Sequence, residues 1–210
     1  MSNNGWDRRH VDYQHKDWIN KPSIFAEQAI EYFPKSGRIL ELGAGLGQDS
    51  RFFAGQGYSV VSTDNGEVAV SENLKRSAKF DIQVEKLDLK DNFPYPDESF
   101  DVVYAHLSLH YFSEQKTHEI FDDIHRVLKP GGIFAFFTNS TDDPEFNTGE
   151  KLEEYYFVIG DLKKRYLNPE EAEKFAAKFE TILCDNQGET YKDSAKGIHN
   201  LIRYVGRKKS

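Results

Sequence analysis

Sulfur is almost missing from this chain: Cys184 is the only cysteine and Met1 the only methionine. A single cysteine excludes an internal disulfide, a cysteine-built zinc site and a Cys-x-x-Cys redox pair. A reducing, cytoplasmic setting follows as the default. No apolar run approaches the ~20 residues that a bilayer span requires, so no membrane partner is expected. The first ten residues lack the apolar core of an export signal, and none is expected there. Positive charge is also short, with 27 Lys and Arg against 35 Asp and Glu and a formal net charge of −8. Such a surface repels phosphate backbones, and no Lys/Arg stripe appears outside the last few residues, so nucleic acid is not expected as a partner. The seven histidines show no H-E-x-x-H or comparable ligand spacing, and no metal site is expected. What is abundant is aromatic: 14% of the residues, including 16 Phe and 11 Tyr. The core, or a pocket, is therefore rich in rings. With 38% hydrophobic and 30% charged residues in 210, the chain reads as one globular domain.

Strand and helix patterns alternate, which points to an α/β fold with a mostly parallel sheet. A helix is expected over about 22–33, started near Asn20 and Pro22 and stopped by Pro34 and Gly37. Strands are expected at about 38–42, 58–63, 82–87, 100–105 and 133–138. Helices should follow the first strand to Gln56 and span about 66–77, and Ser113 can cap a helix with Ile120, Ile124, Val127 and Leu128 on its core face. Lys129-Pro130-Gly131-Gly132 should break that helix sharply. Residues 139–167 read as irregular, with a short helix carrying Leu152, Tyr155, Tyr156 and Ile159 on one face. Asn168-Pro169-Glu170-Glu171 has the cap, the first-turn proline and the third-position carboxylate of a helix start. The last two strands, about 179–186 and 199–207, read as an antiparallel pair, with Cys184 as a buried structural thiol.

The segment with most chemical content is the strand–glycine loop–helix unit at 38–56. Gly43, Gly45 and Gly47 let backbone approach a ligand closely, and the following helix start offers free N–H donors. Gln48 stands where the dinucleotide fingerprint has its third glycine, and Glu41 lies two residues before the first glycine. A carboxylate there has no use beside a pyrophosphate. Asp64 closes the second strand, where an acid accepts bonds from ribose hydroxyls. Asp88 closes the third, where an acid can accept from an adenine amino group. Three carboxylates around a glycine loop suit an adenosine with a cationic tail better than one with phosphates.

These residues carry a family resemblance. Glu41-Leu42-Gly43-Ala44-Gly45-Leu46-Gly47 resembles motif I of the class I S-adenosylmethionine-dependent methyltransferases. Asp64 matches the family's ribose-binding acid and Asp88 its adenine-side acid. Phe93-Pro94-Tyr95-Pro96-Asp97-Glu98-Ser99-Phe100-Asp101-Val102-Val103 resembles the fourth-strand block, and Arg126-Val127-Leu128-Lys129-Pro130-Gly131-Gly132 the turn before the fifth strand. The blocks stand in family order over 36–138. The resemblance implies a Rossmann-like, doubly wound seven-stranded sheet of order 3-2-1-4-5-7-6 with strand 7 antiparallel, in one domain over 1–210. By subfamily the chain is loosely similar to small stand-alone methyltransferases, including those grouped with tellurite-resistance proteins. S-adenosyl-L-methionine is then the cofactor, held by Glu41, Gly43, Ala44, Gly45, Gly47, Asp64, Asn65, Asp88, Leu89, Ala105 and His106.

On the acceptor side, His110 and Tyr111 follow the fourth strand's carboxyl end, and His110 reads as a base or positioning group with a pKa near working pH. Trp6, Tyr13 and Trp18 punctuate a polar stretch and are expected to form part of an N-terminal lid over 1–34, bringing Tyr13 to the transferred methyl. Residues 139–167 are expected to shape the acceptor pocket, and His199 is a further candidate to face it. The chain lacks a Pro-Pro pair and has one cysteine, which argues against nucleobase amino, pyrimidine carbon-5 and arsenite methylation. A small-molecule O, N or S acceptor is expected, in a monomer or homodimer. The alternatives are a protein side-chain methyltransferase, a non-catalytic cofactor-binding regulator and, less compatible with Gln48 and the acids, a nicotinamide oxidoreductase.

Overall fold

A computed structural model describes residues 4–191 and 200–209. Along the chain come β1 (Arg38–Leu42), β2 (Ser59–Asp64), β3 (Ile82–Lys86), β4 (Phe100–His106) and β5 (Leu128–Thr138). After these come β6 (Glu150–Glu153), β7 (Tyr156–Ile159), β8 (Leu162–Arg165), β9 (Phe179–Gly188) and β10 (Leu201–Lys208). The helices are α1 (Asn4–Tyr13), α2 (Ile24–Ala29), α3 (Gln48–Gly55), α4 (Glu67–Ser77), α5 (Glu114–Val127) and α6 (Pro169–Phe175). Seven strands form one sheet in the order β3-β2-β1-β4-β5-β10-β9. The first five are mutually parallel, and β10 runs antiparallel to both β5 and β9. This is the expected 3-2-1-4-5-7-6 order with its seventh strand reversed, since β6–β8 stand apart in their own sheet.

The central strands are buried on both faces, as parallel strands must be when helices cover them. Ile39, Leu40 and Leu42 of β1 are fully enclosed. On one face they meet a cluster that includes Ile120, Ile124 and Val127 of α5 and Phe175 of α6. On the other they meet Phe25 of α2 and Phe53 beside Tyr104. Helix starts follow local chemistry: Ser113 accepts from Lys116 N at 3.3 Å, and Asn168 accepts from Glu171 N at 2.8 Å.

The polar N-terminal stretch holds a helix, with Trp6, His10 and Tyr13 at i, i+4 and i+7 on α1. Four expectations are corrected. The helix expected over 22–33 begins after Ser23, whose hydroxyl accepts from Ala26 N, and it tightens to a 3₁₀ turn at Ile30–Tyr32. Asn20 ends an earlier 3₁₀ turn at Asp17–Asn20 instead of capping that helix. The break before the fifth strand is a bulge inside it, for Leu128 already pairs with Phe100 before Ile133 pairs with Val102. Residues 150–165 form the antiparallel β6–β7–β8 sheet, not a helix. There Tyr155 and Gly160 take left-handed φ of 61° and 60° at the two turns. Gly160-Asp161 between Ile159 and Leu162 is a two-residue hairpin signal, and it outweighs an apolar spacing that suits either period. His199 and the expected start of the last strand lie outside the described residues.

Candidate functional site

The carboxyl ends of β1, β2, β3 and β4 meet along one edge, where open α/β sheets bind ligands. Gly43, Gly45 and Gly47 hold left-handed φ of 72°, 56° and 75°. A Cβ on Gly43 would stand 2.4 Å from Ser108 Cβ, and one on Gly47 would stand 1.9 Å from Asn73 Oδ1. Both positions therefore demand glycine for space as well as conformation. Ser108 in turn donates to Leu42 O at 2.6 Å, which ties the end of β4 to the loop.

Asp64 ends β2 facing this loop. Its Oδ2 accepts from Gly45 N at 2.9 Å and its Oδ1 from Gly66 N at 2.8 Å. A carboxylate can accept about four hydrogen bonds, so capacity remains for a pair of hydroxyls. Asp88 accepts from Asn65 Nδ2 at 2.9 Å and from Lys90 N at 3.0 Å. Asn65 thus positions the acid at the end of the third strand. Leu89 and Ala105 are buried in the sheet's core cluster. His106 lies flat on Phe137, with ring centroids 4.9 Å apart and planes 1° from parallel. A small recess of about 20 Å³ lies beside it, bordered by Trp18, Gln48, Leu107 and Tyr191.

Glu41 differs from the other acids. It is 2% exposed, its side chain bonds Ser50 on α3, and burial together with Asp49 holds its carboxyl well above the usual range. Through Ser50, which also meets Ser62, its side chain ties β1 to α3 on either side of the glycine loop.

His110 is 3% exposed, and its Nδ1 finds no hydrogen-bond partner among the described residues. Burial, reinforced by Lys164 and His106, pushes its pKa down to about 3. The expectation of a base poised near neutral pH is therefore corrected: this imidazole is neutral across the working range. Tyr111 packs against His110 at 4.1 Å and meets the edge of Trp6 at 5.1 Å. Tyr13 meets His10 and Trp18. It stands seven residues from Trp6 on α1, about 10 Å along the axis, and no described ring contact joins it to His110 or Tyr111.

The sequence reading missed His10, Asp7 and Arg165. His10 is buried against the loop: a Cβ on Gly45 would meet its Nε2 at 3.6 Å, and one on Gly66 its Nδ1 at 3.4 Å. Asp7 accepts from Val68 N at the start of α4. The helical spacing of Trp6, His10 and Tyr13 was the available signal. Arg165 pins the small sheet to the post-β4 loop. It is ion-paired to Glu153, donates to Phe112 O and Glu154 O at 3.2 Å each, and lies over Tyr156 and Phe175. Its backbone N donates to His110 O at 2.7 Å, and Tyr156 donates to Tyr111 O at 3.0 Å. With Glu153, Glu154, Lys163 and Lys164 it reads from the sequence as a solvated charged face, and this is corrected: the Arg165 side chain is 3% exposed, buried by the turn of the small sheet. Cys184 donates to Pro169 O, and burial pushes its thiol up to about 12, an inert thiol. Among the described residues no group of three or more His, Cys, Asp or Glu could hold a metal ion, and no helix is long and apolar enough to cross a membrane.

Residues 40–136 match the model of a methyltransferase domain family. An uncharacterised methyltransferase of Synechocystis is 32% identical over 100 residues, 47% of this chain and 45% of that protein. The chain spans less than half the length of the first curated relatives it matches. Among solved structures, a 1,6-didemethyltoxoflavin N1-methyltransferase of Burkholderia thailandensis superposes with a TM-score of 0.77 at 16% identity, covering 99% of this chain and 87% of that one. TehB of Haemophilus influenzae gives 0.69 at 16% identity, covering 88% and 61%.

Glycine loop, strand-end acids and sheet order are those of a methyltransferase-type fold, and the family match falls on the same strands. The match spans residues 40–136, and the cofactor of the matched family is S-adenosylmethionine. The residues present fit that cofactor: a glycine loop in left-handed backbone whose N–H groups and main chain stay uncovered by side chains of its own glycines, and acceptor-only carboxylates at the end of β2 and two residues past β3 for hydroxyl and amino groups.

Proposed function

We propose that the protein transfers a methyl group from S-adenosylmethionine to a small-molecule O, N or S acceptor. The observation that carries this reading is the glycine cradle with Asp64 bonded to Gly45 N across it. The cofactor supplies a methyl group activated by its sulfonium charge. The protein's own task is then alignment and exclusion of water.

In this reading Gly43, Ala44, Gly45 and Gly47 admit the cofactor's tail, Asp64 takes the ribose hydroxyls, and Asp88, held by Asn65, takes the adenine amino group. Ala105 and His106 contribute the backbone edge of β4, and Leu89 an apolar wall. The neutral His110 can accept a hydrogen bond from the acceptor's N–H or O–H and orient its lone pair. Its low basicity makes it a positioning group more than a proton sink. Tyr111, with Trp6 edge-on, forms the cover, and Tyr13 extends that cover toward Trp18. The β6–β8 sheet, within the segment 139–167, forms the acceptor-side wall.

The whole-chain likeness to an enzyme whose structure holds 1,6-didemethyltoxoflavin and S-adenosylhomocysteine makes planar nitrogen heterocycles the first acceptors to screen, followed by phenols, thiols and oxyanions. Calorimetry with S-adenosylhomocysteine and with NADH tests the cofactor. Heat with NADH alone overturns the reading. Binding without turnover of any small acceptor would favour a regulator or a protein side-chain methyltransferase, which peptide arrays would then separate.

A further inference from the structure

Glu41 and Asp49 are two buried acids whose charges repel each other, and their hydrogen-bonded surroundings are separate and unequal. Asp49 accepts from Ser23 N at 2.6 Å, Ser23 Oγ at 2.7 Å and Tyr104 OH at 2.9 Å. It also stands in the first turn of α3, where the helix dipole favours negative charge. Glu41 has one neighbour at bonding distance, the Ser50 hydroxyl, which also lies 2.6 Å from Ser62 Oγ. Ser62 in turn accepts from Asn73 Nδ2 at 2.8 Å, and Ser77 donates to Asn73 Oδ1 at 2.7 Å. The one cation nearby, Arg51, donates to Leu46 O and Ile19 O instead. Asp64, the remaining acid that acts on Glu41, repels its charge from β2, and the Tyr104 hydroxyl on β4 is spent on Asp49. A carboxylate buried with a single hydroxyl neighbour is poorly stabilised as an anion, whereas one with three donors is well stabilised. Three donors and a helix dipole decide which keeps the charge.

We propose that Glu41 is a protonated, uncharged positioning residue that ties β1 to α3 through Ser50, and so fixes the two ends of the glycine loop between them, while Asp49 keeps its negative charge. This rests on the reading of the loop as the cofactor site and revises one part of it: Glu41 acts through Ser50 and the loop, not as a carboxylate facing the cofactor's cationic tail. A carboxyl whose proton is held more tightly in the folded state adds stability that is full below its unfolded value of 4.5 and is lost as pH rises through the folded value.

The test compares the full wild-type chain with Glu41→Gln and Glu41→Ala. Gln mimics the neutral acid, so Glu41→Gln should bind S-adenosylhomocysteine within about three-fold of wild type. Between pH 5 and pH 8 its Tm should gain on wild type by about 3 °C or more, whereas Glu41→Ala should lose both stability and affinity. A Gln variant that folds, shows the same Tm difference at both pH values and loses about ten-fold or more in affinity would make Glu41 an ionised ligand and overturn the proposal. If wild type binds neither S-adenosylmethionine nor its product, the cofactor reading has failed, and the Tm comparison still decides the protonation. Should Glu41→Gln not fold, the infrared spectrum of wild type at pH 8 serves instead. A persisting protonated-carboxyl band is expected, and its absence overturns the proposal.

Discussion

The two sides of the cleft are built by different means. The cofactor side is assembled from residues close in sequence to the strand they follow: Gly43 to Gly47 after β1, Asp64 at the end of β2, and Asp88 two residues past β3. The cover on the acceptor side is held by long reaches of chain, such as Arg9 to Asp161, Trp6 against Tyr111 and Arg165 to the backbone at 110–112. A local device keeps its shape when distant parts are perturbed, whereas a cover held by remote contacts can change without disturbing the cradle. The two halves should therefore fail separately.

The largest effect is expected from Gly43→Ala. Its φ of 72° and a Cβ only 2.4 Å from Ser108 Cβ combine strain with overlap. Each costs about 1–3 kcal/mol, and cofactor binding should be lost with the stability. Urea unfolding and calorimetry with S-adenosylhomocysteine measure both, and a stable variant that binds normally would show the loop to be slack. Next comes Arg165→Leu on the other side. The Arg165 side chain is 3% exposed but its partner Glu153 is 34% exposed, so the expected loss is about 2–3 kcal/mol, below that of a fully buried pair. Affinity for the product should stay within a few-fold, and a large loss of affinity would join the two halves into one unit.

Asp64→Ala should weaken product binding by about 1.5–3 kcal/mol, or about 10- to 150-fold. Titration calorimetry checks this, and unchanged affinity would remove the ribose assignment. His110→Ala should leave product affinity alone and lower turnover by about ten-fold or more. In wild type the turnover profile should show no ionisation of this residue between pH 5 and pH 9, because its folded value lies at about 3. The stability His110 contributes is full above its unfolded value of 6.5 and is lost as pH falls toward the folded one. A turnover pKa near neutrality that vanishes in His110→Ala would restore the role of general base. The smallest effect is expected from Arg9→Ala, which breaks a surface ion pair with Asp161 and should shift Tm by less than about 1 °C. A larger shift would mean that the cover carries part of the domain's stability.

Legibility followed the same division. The strands, the glycine loop and the strand-end acids could be read because each depends on local chemistry: steric freedom at glycine, capping at Ser113 and Asn168, and strands apolar enough to be buried on both faces; the sheet order came only with the family resemblance. The β6–β8 sheet was misread because Leu152, Tyr156 and Ile159 satisfy helical spacing as well, and only the Gly160-Asp161 turn discriminates. α1 was passed over because its mean polarity hides a single face of Trp6, His10 and Tyr13, which has meaning only once there is a loop to cover.

By itself the amino-acid sequence determined the mostly parallel sheet, the antiparallel last pair of strands, the glycine loop and the acids at the end of β2 and just past β3. Backbone sterics and the burial of alternating strands act over a few residues wherever the chain goes. Tertiary structure alone decided the electrostatic character of the site. Glu41 and Asp64 are both acids at the edge of the same sheet, yet one is sealed against Ser50 and the other bonds the open loop. His110 became neutral because packing removed it from water, and the desolvation that sets its charge comes from residues far along the chain.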